Sequence, residues 1–94
     1  MKEIYIVLKE TTAHDGWGEI YGQGTDVVPC TTQELAWEYV QAELENLAKD
    51  GYRVEEITLE KFLEFGAAAE KRSEEGEITS VEFRMQACEL RGEV

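Results

Sequence analysis

The stretch His14–Cys30, HDGWGEIYGQGTDVVPC, concentrates the residue types best suited to chemistry. Glycines stand at positions 16, 18, 22 and 24, acids at Asp15, Glu19 and Asp26, and the chain's single histidine at His14. A phosphate cradle would use glycines to bring backbone N–H groups up to oxygens at the start of a helix. The spacing here is G-x-G-x-x-x-G-x-G, so Tyr21 stands where the dinucleotide fingerprint needs glycine. No Lys-Ser/Thr pair follows, and the three acids would repel a phosphate. A calcium loop would use those acids, but they miss the EF-hand positions. The fragment GQGTD is like one calcium-binding nonapeptide repeat, and such sites need stacked copies. Turn chemistry makes the fewest demands: Asp15-Gly16 is a strong hairpin signal, and glycines let a return strand bulge. The expectation is a turn with Trp17 and Tyr21 as surface aromatics. A ligand- or calcium-binding loop is the alternative.

Catalysis finds less support. His14 and Asp15 are sequence neighbours, which rarely face each other as a general-base pair. Cys30 precedes a helix N-terminus, a position that activates thiols, but Asp26 and Glu34 oppose that effect. Cys88 reads as a small apolar group in a strand. Two cysteines make neither a disulfide framework nor a metal site on their own. Glu55 and Glu56 would point to opposite faces of a strand, and Glu74-Glu75 reads as a solvated pair. The expectation is a protein that is not an enzyme, with no catalytic residue, metal or cofactor.

These residues need elements to position them. EIYIVLK, Glu3–Lys9, is β-branched and aromatic with both faces apolar, which predicts a strand central to its sheet. WGEIYGQ, Trp17–Gln23, is its weaker hairpin partner, and TDVV either extends that arm or leads to a helix. TTQELAWEYVQAELENLAKDG predicts a helix with Thr31 as N-cap, Glu34 completing a capping box, Lys49 in the last turn and Gly51 after it. Its apolar stripe is Ala36, Trp37, Val40, Leu44, Leu47 and Ala48. Tyr52–Leu59 has strand composition with a slip in its alternation between Val54 and Ile57. A second helix is expected from a Thr58 cap to Gly76, and ITSVEFRMQACEL is a half-buried strand. The order β-β-α-(β)-α-β implies an α+β fold, a small antiparallel sheet with helices packed on one face.

Ninety-four residues, 43% of them hydrophobic, make one domain over positions 1–94. The N-terminal apolar run, Ile4 to Leu8, is too short for a secretory core, and no run approaches the ~18 apolar residues of a membrane span. A cytoplasmic address and no membrane partner are expected.

Charge is the feature that stands out. The chain holds 21 acids and 9 bases, for a net charge of −12. No Lys or Arg occurs from Glu10 through Ala48, a stretch with eight acids. Within the first helix Glu34, Glu38 and Glu45 share the stripe opposite the core. Glu34 and Glu38 are like charges at i,i+4, which costs a few tenths of a kcal/mol instead of contributing it. Their separation along the axis is about 6 Å, and phosphates advance ~3.4 Å per nucleotide along one DNA strand. Such a row suits a basic groove built for nucleic acid. Direct nucleic-acid binding is disfavoured by the same charges. Leu35 and Tyr39 sit beside the acids as apolar and aromatic anchors. The expected partner-binding set is Asp15, Glu19, Asp26, Glu34, Leu35, Glu38, Tyr39 and Glu45. The alternative is a small structural or assembly protein that self-associates, as a homodimer for example, through a sheet edge or the Leu35/Tyr39 patch.

The arrangement IYIVLKE…DGWGEIYG…TTQELAWEYV resembles small uncharacterised phage and prophage proteins, in which a β-hairpin leads into a helix opened by Ser or Thr. The likeness covers the first half of the chain. Small acidic phage proteins include anti-CRISPR and other anti-defence inhibitors, several of them nucleic-acid mimics. The resemblance implies an inhibitor without assigning its target and carries no catalytic motif; the basic nucleic-acid-binding protein expected as partner follows from the charge.

Overall fold

The computed structural model describes residues 2–15 and 20–90. The elements are β1 (Lys2–His14), β2 (Ile20–Cys30), α1 (Gln33–Lys49), β3 (Arg53–Val54), α2 (Leu59–Phe65), β4 (Ala67–Arg72) and β5 (Ile78–Leu90). The five strands form one sheet in the order β2-β1-β5-β4-β3, and every neighbouring pair is antiparallel. The fold is α+β, as its composition pattern implies.

β1 lies between β2 and β5, the position that two apolar faces require. Thr11 and Thr12 carry it past Lys9 to His14. β2 absorbs TDVV and pairs Val28 with Val7 and Val27 with Leu8. The pairing is irregular between Ala13 and His14, and a Cβ on Gly22 would lie 3.3 Å from the Ala13 Cβ. The hairpin is therefore present, while Gly16, Trp17, Gly18 and Glu19, where the turn was expected, lie outside the described residues.

Register assigns each residue to a face. Tyr5 and Val7 of β1 share a face with Val81, Phe83 and Met85 of β5, Ala67 and Ala69 of β4, and Val28 and Cys30 of β2. Both helices pack there. Val7, Val81, Phe83, Ala67 and Ala69 form the core with Ala36, Val40, Leu44 and Leu47 of α1 and Phe62 of α2. Trp37, half-buried, packs on Phe62 with ring centroids 5.1 Å apart. Ala48 does not join the α1 stripe. It is exposed, because about 100° per residue turns it to the stripe's edge.

The start of α1 differs by one residue from expectation. Thr32, not Thr31, is the N-cap, and its Oγ1 accepts from Leu35 N at 3.1 Å. Glu34 then falls one position short of a capping box. At the other end Gly51, with φ +92°, follows the Asp50 cap, and Tyr52 N donates to Leu47 O.

The second half departs further. β3 holds only Arg53 and Val54, since Val54 and Ile57 are three apart and a period of two cannot bury both. Thr58 caps α2, accepting from Lys61 N at 3.3 Å. The helix then stops at Gly66, and Ala67–Arg72 is a strand, not helix. A Cβ at Gly66 would meet the Phe83 carbonyl oxygen at 2.7 Å, so only glycine lets the chain pass from α2 into β4 this close to β5. Pairing with β5 outweighs the helix propensity of three alanines. Gly76 sits in the β4–β5 turn, where its N–H reaches Ser73 O.

Candidate functional site

The acidic residues divide according to the path of α1. At its start Glu34 adds to the field around Tyr5, whose phenol is held above its ordinary value by the Glu3 charge first, then by burial, a hydrogen bond to Glu3, and Glu34. The Tyr5 hydroxyl donates to Glu3 Oε2 at 3.3 Å. Nine residues on, Glu43 pairs with Lys9 at 3.7 Å. Nine helical residues rise ~13.5 Å, and four strand residues from Tyr5 to Lys9 rise ~13 Å, so α1 runs alongside β1 in the same direction.

Glu34 and Glu38 are exposed on the side of α1 facing away from the sheet, one turn apart. Leu35 lies on the same outer side, 49% exposed. Neither glutamate has an ion pair among the described residues. Glu45 continues the row but meets Lys49 at 4.0 Å, with both side chains about 70% exposed, a contact worth well under ~1 kcal/mol.

Tyr39 is not a free anchor. It is half-buried and packs against the core. Burial first, then a hydrogen bond and charge from Glu43, then Asp26 and Cys30, push its phenol up to about 12. Asp26 stands opposite Lys9 in the β1–β2 register. Lys9, Asp26, Cys30, Tyr39 and Glu43 therefore form one polar cluster on the flank where α1 crosses the hairpin. The sequence reading missed Lys9 and Glu43. Their signal was Lys9 on the same strand face as Tyr5 and Val7, where a half-buried cation gains from a carboxylate on the covering helix.

Asp15 stands apart from this group. It follows the end of β1, six residues past Lys9, which is ~20 Å of strand. Asp15 and Asp26 therefore cannot share one ion, which removes the calcium loop that used both. Glu19, its third acid, lies outside the described residues. No group of three or more His, Cys, Asp or Glu among the described residues is arranged to hold a metal. Cys30 and Cys88 are free thiols on opposite faces of the sheet, in register with Tyr5 and Ile4.

The arrangement thus has one exposed acidic row on α1, one partly neutralised cluster beneath its flank, and a hairpin end carrying Asp15. Chemically, the row presents carboxylates to solvent, and the cluster fixes the helix against the hairpin. No protein-family model, curated protein or solved structure matches the chain.

Proposed function

We propose that the protein is a non-enzymatic inhibitor or modulator that docks on a basic, nucleic-acid-handling protein through the outer ridge of α1. One observation carries the reading. Glu34 and Glu38 are exposed one turn apart without an ion pair among the described residues, within a stretch that has no Lys or Arg from Glu10 through Ala48. Unpaired like charges on one helix face cost the isolated protein stability. A basic partner would convert that cost into attraction and steer the encounter over a Debye length of about 10 Å at 0.1 M salt. Leu35 supplies an apolar contact inside the charged rim. Nucleic acid itself is not the partner, because the ridge would repel phosphates. A likeness of the first half to small uncharacterised phage and prophage proteins, carried by the sequence pattern alone, would fit an anti-defence role, with the ridge standing in for a phosphate backbone.

The test is reversal of Glu34, Glu38 and Glu45 to Lys. The account expects binding to the basic partner to be lost while the far-ultraviolet dichroism stays that of the wild type. Unchanged affinity in the folded triple variant would remove the ridge from the interface.

A further inference from the structure

The sheet has a second face, and no helix among the described residues covers it. Ile4, Ile6 and Leu8 of β1 alternate away from the core residues Tyr5 and Val7, and none of the three belongs to the core cluster. Register places Val27 beside Leu8, Pro29 beside Ile6 and Cys88 beside Ile4 on this same face. Val27 is 58% exposed. Toward β4 the face becomes concave. A cleft of about 890 Å³ is lined by Ala68, Glu82 and Arg84 of this face, by Glu55, Glu56 and Lys61 beyond the strands, and by Phe65, which is 75% exposed. One side of the face is thus an apolar ridge and the other a cleft.

The charges on this face differ from those of the rest of the molecule. Its described charged side chains within the strands are Glu10, Glu70 and Glu82 against Arg53, Arg72 and Arg84, a balance of signs in a chain of net charge −12. Two of them conflict within one copy: Glu10 and Glu82 are direct cross-strand partners, both exposed, and like charges so placed are destabilising.

We infer that this open face is a self-association surface, and that its occupant is a second copy of the chain. A two-fold, face-to-face pairing sets the Leu8/Val27 ridge of each copy toward the cleft of the other and offers arginines to the Glu10/Glu82 pair. The size is adequate. Three long strands of up to thirteen residues give a face of about 40 × 15 Å, and side-chain relief and β4 bring its accessible area toward the ~800 Å² per partner of a standard interface. A strongly acidic second protein or a basic one would each meet charges of its own sign here, whereas an identical face carries both signs and is close to neutral, five acids against four bases once Glu55, Glu56 and Lys61 of the cleft are included. The pairing leaves both α1 ridges pointing outward, so it stands or falls independently of the proposed partner.

Sedimentation equilibrium tests it. The wild type is expected to reach twice the 10.7 kDa of one chain. Dimerisation should strengthen with added salt, because screening relieves the repulsion between two acidic copies while an apolar neutral face is indifferent to it. Partner docking by the α1 ridge would weaken with salt, so the two surfaces give opposite signs. Val27→Glu changes a mostly exposed side chain and so keeps the fold; it should raise the dissociation constant by about tenfold or more. Leu8→Glu should do the same, and Leu35→Glu should leave it unchanged. A wild type that stays monomeric up to ~1 mM, where any residual association is too weak for a specific interface, overturns the inference. So does a dimer that Leu35→Glu abolishes and Leu8→Glu spares, or one that salt dissociates.

Discussion

At Gly66 the backbone has φ +77°, and a Cβ would come within 2.7 Å of the Phe83 carbonyl oxygen. Two penalties meet there, a left-handed backbone and a clash with backbone that has no rotamer to yield. Gly66→Ala should therefore cost about 2–4 kcal/mol, read as a lower urea midpoint with an unchanged slope. Gly24→Ala is the contrast, because nothing lies within 4 Å of a Cβ there. Tyr39 provides a pH signature at the same scale. Burial and Glu43 raise its phenol from the ordinary 10 to about 12, so the folded state holds this proton more tightly than the unfolded chain does. Its contribution to stability is complete below pH 10 and is lost as pH rises through about 12. Unfolding free energy should fall more steeply across that window in the wild type than in Tyr39→Phe. Equal slopes would place Tyr39 outside the cluster with Glu43.

The elements test how α1 is anchored and how the sheet is built. Thr32→Ala removes the N-cap hydrogen bond to Leu35 N and should cost about 1 kcal/mol, while Thr31→Ala should cost almost nothing. Equal costs would contradict the cap assignment. Phe62 joins α2 to Trp37 and the sheet, and Phe62→Ala should destabilise by about 3–5 kcal/mol in a thermal or urea melt. The first half of these elements was legible because local signals agreed: apolar alternation on both faces of β1, and a 3.6-residue stripe with a glycine stop in α1. The capping box failed by one residue because two adjacent threonines offer the same side chain, and only the backbone path chooses between them. The second half was misread for a different reason. Ala67–Ala69 favours helix locally, and what makes it a strand is Gly66 beside Phe83, a contact between residues seventeen apart in the chain. The candidate site was legible as a row, Glu34, Glu38 and Glu45, because helical spacing alone defines it. Its division was not, since the pairing of Lys9 with Glu43 and the separation of Asp15 from Asp26 both depend on register.

For the whole molecule, the sheet separates two surfaces of different character. The helix side carries the acidic α1 ridge, and the uncovered side carries apolar strand residues with balanced charge. No helix among the described residues is long and apolar enough to cross a membrane. In the proposed function the ridge recognises a basic nucleic-acid-handling protein. Charge of this kind acts at long range, so partner association should slow steeply between about 0.05 and 0.2 M salt, the range over which the Debye length halves. The most direct measurement captures proteins from bacterial lysate on the immobilised chain at about 0.1 M salt, beside the Glu34→Lys, Glu38→Lys, Glu45→Lys variant, and then washes both with duplex DNA. The account predicts a basic nucleic-acid-binding protein that is held by the wild type, absent from the variant and released by the DNA. The same proteins on both baits, or a captured protein that DNA does not displace, would contradict it.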